Sequence, residues 1–496
     1  MSRTRLICAL AGALSAVALA AGPAQAEQVI VVSGHHAVKT DDPAVPSKAE
    51  TYMLGSLTAR PVAVASSRRG TKAVSKALTT ALQKRSISRK SYNSYRRTYS
   101  RARSAARKLR GARRAQLGYV IAALESVAVR RKLTGTRMPS EFVQLLRNTV
   151  YWPSLPYPAS GDQVSFKGSE VLYQYYPGRG LQLQPLSTFK KANNMHGACT
   201  KHTGPCRKAG LKRLLDEMTS LAVRRSKRFI TWEYMFTFDG GTPPWMSAMA
   251  QGVALQAYAR ASQLLGQPGY LTIARKALPA FKVAPPVGVR TRGPRGGVTY
   301  LQYSFAPRLY IFNAFIQSLV SLYDFDKIAH DPSAAARYRE AEPEARRMIP
   351  FSDLGDWTLY NYRGHEANAN YHELLREEVA SMCTRRLGAI YCTYAKKYRG
   401  YQVDPPVLDY TGPASATKGR STRLRFTLSK LSVVQLDVYK GSKLALHRLV
   451  TMRRGSRYFT WKPKSAGDYT VRLGAKELRT GFGKRGRTSG ELTVEG

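Results

Sequence analysis

The hydrophobic period of this 496-residue chain changes once, at Pro405-Pro406, and the change separates two kinds of structure. Before it, apolar residues recur three and four positions apart. Leu211, Leu214, Leu215, Met218 and Leu221 mark one such stripe, and Leu117, Val120, Ile121, Leu124 and Val127 another. That spacing lines one face of an α-helix and predicts helices that each bury a stripe. After the prolines the pattern alternates, as in 433–439 and 469–473, with Gly and Ser turns between. Alternation predicts strands with one buried face, here a small antiparallel β-sandwich over 405–496.

A mainly α fold is expected upstream. Helices are predicted over 142–149 (capped by Ser140), 208–225, 246–265, 270–281, 309–325, 334–348 and 368–383, with a boundary near 160 where Pro153, Pro156, Pro158 and Gly161 interrupt the pattern. Successive helices with loops between them suggest an α/α toroid of helical hairpins over 161–402, with short extended pieces at 230–238 and 298–303 over its mouth. Residues 27–67 show no sustained period and read as a flexible N-terminal segment. The run Ser465-Ala466-Gly467-Asp468-Tyr469-Thr470-Val471 resembles the penultimate hairpin of bacterial immunoglobulin-like modules, so no chemistry is expected in the sandwich.

The chain carries 79 Lys and Arg against 31 Asp and Glu, a formal charge of +48. The excess is concentrated: 60–132 holds 21 cations and the single acid Glu125. A basic helical hairpin over about 72–132, within a basic segment 68–160, has two readings. It is a solvated face, or it holds a polyanionic glycan or an anionic cell-wall polymer. A strong positive field alone favours nucleic acid and anionic membranes equally, and the N-terminus narrows the choice. Arg3 and Arg5, the apolar stretch 6–21 and Ala24-Gln25-Ala26 read as a secretory signal peptide over 1–26. A secreted or cell-surface protein rarely meets nucleic acid, and no later stretch is long and apolar enough to span a membrane.

Four cysteines remain beyond the leader, Cys199 with Cys206 and Cys383 with Cys392. Two local disulfides are expected in an oxidising compartment, with cross-connection left open, and neither spacing is the C-x2-C of a zinc site. His372-Glu373 lacks a second histidine four residues on, and neither G-x-S-x-G nor a P-loop occurs. Glu233, Asp239, Asp353, Asp356, Glu366 and Glu373 leave paired-carboxylate chemistry open. Asp239 or Asp356 could serve a calcium ion, but no Asp-rich loop supports one, and no metal site is assigned.

Tyrosine and arginine concentrate in three segments. Tyr303-Ser304-Phe305-Ala306-Pro307 leads to the 311–324 run with Asn313, Ser318, Leu319, Tyr323 and Asp324; Trp245-Met246-Ser247-Ala248-Met249-Ala250-Gln251-Gly252 is the second; Tyr360-Asn361-Tyr362-Arg363 with Tyr371-His372 is the third. In this order they resemble the C-terminal catalytic domain of the D-glucuronyl C5-epimerase family. The upstream run Tyr175-Tyr176-Pro177-Gly178-Arg179-Gly180-Leu181-Gln182 is similar to that family's bacterial branch. The resemblance covers about 165–400. It implies a helical toroid in which Tyr303, Tyr360 and Tyr371 are catalytic and Arg363 meets a uronate carboxylate, with Trp245, Gln251, Arg308, Asn313 and His372 along the substrate path. Gln302 stands where the animal enzymes carry glutamate, and Asn361 replaces an aspartate.

The implied reaction turns D-glucuronate into L-iduronate within a polysaccharide. A C5 proton beside an ionised carboxylate is weakly acidic, so a cation must stabilise the enolate-like dianion formed when it leaves. One acid/base group on each face of the ring must then remove and return the proton. Tyrosine suits the task if nearby cations lower its pKa from ~10. Protons alone are exchanged, so no cofactor is needed. Two alternatives share the residues: a lyase, in which the same carbanion eliminates its O4 substituent with help from His372, and a non-catalytic binder whose tyrosines stack on sugars.

Overall fold

Helices begin where a short polar side chain precedes an apolar stripe. Ser67, Ser88, Ser247, Asp331 and Asn368 each accept a hydrogen bond from a backbone N–H of the turn that follows. The computed structural model describes residues 27–47, 67–226 and 229–496; the expected signal peptide and 48–66 lie outside them.

The chain opens with an antiparallel pair, β1 (Glu27–Ser33) and β2 (His36–Asp42). Three further strands, β3 (Gln163–Phe166), β4 (Tyr173–Tyr176) and β5 (Gly180–Leu183), extend it to a sheet of order β2-β1-β3-β4-β5, with β1 parallel to β3. The described part of the segment expected to be flexible is therefore ordered. Val29 pairs with Gln163 and Val32 with Phe166, contacts that a local reading of periodicity cannot supply.

Among the described residues, four helices lie between β2 and β3: α1 (Arg68–Gln83), α2 (Arg89–Lys108), α3 (Gly111–Val129) and α4 (Met138–Tyr151). The expected basic hairpin is instead three helices, because the chain breaks at Arg85 (φ 51°) and again at Gly111 (φ 54°). Ser140 caps nothing. Pro139 sits in the first turn of α4 and the Ser140 hydroxyl donates to the Arg137 carbonyl at 3.0 Å. Nor do these helices stand apart, since one apolar core runs from Ile30 through Leu124 and Phe142 to Phe315 and Tyr398. The Arg137 guanidinium grips Glu233 at 2.7 and 3.0 Å and ties α4 to the region beyond the proline-rich stretch.

Eight helices follow: α5 (Pro185–Lys201), α6 (Lys208–Ser220), α7 (Ala248–Leu264), α8 (Gly269–Ala277), α9 (Phe312–Ala329), α10 (Pro332–Met348), α11 (Ala369–Thr384) and α12 (Ala389–Val403). Helices α5, α7, α9 and α11 pack side by side in that order, each backed by its sequence partner. Gly252 permits the α7–α9 approach, since a Cβ there would lie 2.9 Å from that of Ser321. Two short hairpins intervene, β6 (Val223–Ser226) with β7 (Phe229–Thr231) and β8 (Arg290–Arg292) with β9 (Val298–Tyr300). At about 44% helix and 24% strand the described residues are mixed rather than mainly helical, with several sheets beside this arc of hairpins. Cys199 bonds Cys206 and Cys383 bonds Cys392, both local pairs. No helix among the described residues is long and apolar enough to cross a membrane.

Beyond α12, β10 (Leu408–Tyr410), β12 (Thr422–Leu428) and β15 (Gly455–Trp461) form one sheet. The facing sheet has the order β11-β17-β16-β13-β14, from β11 (Ser415–Thr417), β13 (Ser432–Lys440), β14 (Lys443–Met452), β16 (Gly467–Glu477) and β17 (Arg485–Glu495). Leu424, Phe426, Leu436, Val471 and Trp461 belong to a separate core. The sandwich grips the helical part at the end of α12, where Lys430 Nζ donates to Gly400 O at 3.1 Å and Tyr401 O at 2.9 Å, and at the 353–366 loop. Asp356 accepts from Leu431 N at 3.1 Å and from Arg479 Nη1 at 2.6 Å, while Arg479 Nη2 reaches Glu366 at 2.9 Å.

Candidate functional site

Three loops converge above the ends of the helical hairpins, each pinned by its own backbone. The first runs from β9 to α9. Ser304 N donates to Met246 O and Met246 N to Ser304 Oγ, both at 3.0 Å, and the Ser247 hydroxyl donates to Gln302 Oε1 at 2.9 Å. Tyr303 is held between these clamps, with its ring stacked on Phe305 at 5.4 Å and set 5.2 Å from Phe238 and 5.6 Å from Trp245.

The second loop, 352–368, turns at Asn361. Tyr360 N donates to His365 O at 2.8 Å, Phe312 N to Tyr360 O at 3.2 Å, and the Asn361 side chain closes the turn by accepting from His365 N at 3.1 Å. The third element is the first turn of α11, where Asn368 Oδ1 accepts from Tyr371 N at 2.9 Å. These anchors bring the Tyr360 and Tyr371 rings to 4.5 Å.

Burial is the main influence on the trio's electrostatics. It pushes the Tyr303 hydroxyl well above its usual pKa, and the neighbouring Tyr360 and Tyr371 hydroxyls, with Tyr176, push it further. Tyr360 is likewise raised, by burial first, then by Tyr371, with a smaller contribution from the Asp239 carboxylate. Asn313 Oδ1, near the start of α9, is buried with no hydrogen-bond partner. The expectation that cations lower these pKa values is not met: burial and the neighbouring hydroxyls raise them. Arg363 occupies the left-handed position of the 361–364 turn (φ 53°), is exposed, and lies over the Tyr362 ring at 5.4 Å; Arg308 is exposed as well.

Three residues expected along the substrate path are structural. His372 is fully buried: Nδ1 bonds the Thr358 hydroxyl at 2.9 Å, Nε2 bonds Tyr398 O at 3.1 Å, and the ring stacks on Trp357 at 3.7 Å. Burial lowers its pKa to about 4, so it is neutral and spent. Gln251 is fully buried and exchanges both amide bonds with the Trp232 backbone, at 3.2 and 2.9 Å. Trp245 packs on Tyr234 at 4.2 Å and donates to Phe236 O, so it underlies Tyr303. In each, burial takes up the polar atoms a substrate would have needed.

The carboxylates open to paired-acid chemistry are mostly engaged. Glu233 is gripped by Arg137, Asp353 by Lys397 and Tyr401, Asp356 and Glu366 by Arg479, and Glu373 by Arg376 and Gln402. Among the described residues no group of three or more His, Cys, Asp or Glu could hold a metal ion. Asp239 is the acid that stays with the tyrosines, at φ 42° beside Gly240 in the 238–241 turn. Tyr176 is not among the residues expected at the site, although the 175–182 run that holds it was a signal for it, and Asp239 was expected only as one of several open carboxylates or as a calcium ligand.

A family model described as D-glucuronyl C5-epimerase C-terminus matches residues 225–400. An uncharacterized protein of Methanocaldococcus jannaschii is 27% identical over 190 residues, covering 37% of this chain and 62% of its own. D-glucuronyl C5-epimerase of Caenorhabditis elegans is 30% identical over 133 residues, 24% of this chain and 22% of that protein. The chain thus spans less than two thirds of either relative. Among solved structures, the CARDB domain of a Pyrococcus furiosus protein aligns with 18% of this chain and 91% of its own at 13% identity and TM-score 0.14. The endo-beta-1,4-mannanase from Thermotoga petrophila aligns with 73% and 83% at 9% identity and TM-score 0.14.

Proposed function

Because this chain belongs, through residues 225–400, to the D-glucuronyl C5-epimerase family, we propose that it epimerises uronic acid residues of an acidic polysaccharide at C5. One observation carries the reading: Tyr303, Tyr360 and Tyr371, from three separate elements, share one buried, hydroxyl-rich site.

Burial keeps the resting tyrosines neutral, so a proton donor is in place before substrate arrives. The base is made when substrate binds. When a uronate sugar seats its carboxylate against a protein guanidinium, that cation also faces the trio and favours release of one tyrosine proton to solvent. One tyrosinate removes the C5 proton, the arginine-bound carboxylate takes up the developing charge, and a tyrosine on the opposite face returns a proton. Arg363 is the arginine the family resemblance points to; it has no ion pair among the described residues and sits three residues after Tyr360. Asn313 supplies a free buried acceptor for a sugar hydroxyl. In this reading the four helical hairpins belong to an α/α toroid with the substrate lying across one end, and the 1–26 leader exports the protein to the cell surface or beyond.

The basic helices supply the second contact with polyanion. A groove of about 650 Å³ between α1 and α2 is lined by Arg96, Arg97, Arg103 and Arg107, interleaved with Ser75, Asn93 and Ser100. One acid, Glu125, lies beside it, buried and bonded to Tyr99 and Ser67 N, against these four arginines. A chain of acidic sugars, such as a cell-wall uronan, meets both the charges and the hydroxyl partners of this groove.

The lyase reading loses support because His372 is enclosed. Proton NMR of heparosan and other uronans incubated with the protein in deuterated water tests the proposal. Deuterium at C5 without cleavage, absent with Tyr360→Phe, is expected; an unsaturated end group would mean elimination, and binding without exchange would mean a glycan-binding role.

A further inference from the structure

The tip of the β4–β5 hairpin holds a buried arginine that none of the roles above uses. Arg179 lies between Gly178 (φ 75°) and Gly180 (φ 72°), a turn tight enough to need both glycines. Its backbone is fixed on each side. Arg179 N donates to Tyr176 O at 2.8 Å, the Gln182 amide donates to Arg179 O, and Gly180 N donates to Gln116 Oε1 at 2.8 Å. The side chain is as constrained: the residue is 5% exposed and Nε donates to Thr237 O at 3.0 Å. Nη1 is buried with no hydrogen-bond partner, and Arg179 makes no ion pair among the described residues.

A buried guanidinium with a free N–H and no counter-ion is unfavourable unless an anion comes to it. Its surroundings place that anion. Thr237, which accepts from Arg179, is followed by Phe238, whose ring lies 5.2 Å from that of Tyr303, and by Asp239 of the tyrosine site. On the hairpin itself, Tyr176 packs 4.8 Å from Phe236, which in turn lies 6.1 Å from Phe238. The exposed Arg363 and Arg308 offer charge at the outside of this site, whereas Arg179 offers it at the floor, desolvated and pre-oriented.

We propose that Arg179 anchors from the floor of the site the carboxylate of the sugar whose C5 meets the tyrosines, with its unpartnered Nη1 as the waiting donor and the exposed Arg363 meeting the same carboxylate from outside. The assignment rests on the epimerase reading for the reaction it serves, but a carboxylate site is testable without turnover. Only a planar fork that already spends Nε on Thr237 can hold a carboxylate while staying fixed to the tyrosine-bearing wall.

The test compares binding of a heparosan oligosaccharide with its carboxyl-reduced counterpart by calorimetry, alongside C5 deuterium exchange, for the wild type, Arg179→Gln, Arg179→Lys and Tyr360→Phe. The wild type should prefer the uronate form. Arg179→Gln should lose that preference and slow exchange by roughly 100-fold or more, the scale for removing one preorganised donor. Arg179→Lys should recover part of both, and Tyr360→Phe should abolish exchange with the preference intact. If Arg179→Gln fails to fold, Arg179→Lys carries the test through the same two readouts. An undiminished preference in the Arg179 variants, even with slowed exchange, would overturn the assignment and leave the arginine as a hairpin brace; so would a wild type indifferent to the carboxyl. Carboxylate preference that depends on Arg179, without C5 exchange on any uronan, would keep the anchor and sink the epimerase reading.

Discussion

The tyrosine site and the face of α1 and α2 treat charge in opposite ways. At the site, burial governs: three hydroxyls crowd together, nearby acids such as Glu233 are tied to arginines, and Arg179 is enclosed with a donor to spare. On the basic face almost nothing is enclosed, and the arginines around the α1–α2 groove make no ion pairs among the described residues. The first arrangement is specific because each group has a fixed neighbour and desolvation strengthens every interaction. The second is permissive, a field that any polyanion feels and salt screens.

This contrast breaks most sharply at Tyr360. Tyr360→Phe should cut C5 exchange by about 10³-fold while oligosaccharide binding persists, since one hydroxyl is lost and the packing kept; deuterium incorporation measures it. Next is the Arg137–Glu233 pair, the bridge between the two regions. Arg137→Ala strips Glu233 of its two-pronged partner and leaves it only Arg225 Nη1 at 3.3 Å, which should cost about 2–3 kcal/mol in denaturant unfolding; a loss below 1 kcal/mol would mean that the basic helices do not share the core's stability.

Beside that pair, burial and the Glu233 charge raise the pKa of Glu141 to about 8, although Arg137 opposes them. Its folded pKa exceeds the unfolded value, so the folded chain keeps a proton that the unfolded chain releases. Its share of stability is therefore full below about pH 4.5 and declines as pH rises toward 8. Glu141→Gln should flatten that decline by on the order of a few kcal/mol, read as melting temperature against pH; an unchanged slope would refute it.

A smaller effect tests how far the site's rigidity extends. Arg479→Ala removes the side chain that joins Asp356 to Glu366, which keep Leu431 N, Arg453 and Arg454 as partners, and uncovers the Trp357 ring that backs His372, so the loop bearing Tyr360 should loosen. A loss of exchange of roughly tenfold, with the sandwich still folded, is expected for a residue acting through another. The smallest change in stability belongs to the basic face. Replacing Arg96, Arg103 and Arg107 by Ala should leave unfolding within about 0.5 kcal/mol per site, yet lower uronan affinity and flatten its salt dependence. Unaltered binding would reduce this face to a solvated surface.

The same contrast explains what could be read in advance. Tyr303, Tyr360 and Tyr371 stand in recognisable runs, and the structure brings them together because each run carries its own local clamps: Ser304, Asn361 and Asn368. His372 and Gln251 stand in the same runs, yet they turn inward. Nothing in the sequence says which of two polar neighbours on a helix will find a backbone partner, and Tyr371 and His372 differ by one position on α11.

The helical and alternating stretches, the basic excess and the local cysteine pairs follow from the sequence itself, because periodicity, composition and short spacing are local properties. The pairing of β1 with β3, the single core beneath the basic helices, the lock between Arg479 and the Tyr360 loop, and the enclosure of Arg179 were decided only when distant segments met. Burial depends on which surfaces end up facing one another, and it is burial that keeps Tyr303 and Tyr360 protonated, ties His372 to its neighbours and encloses Arg179 with a donor unpartnered.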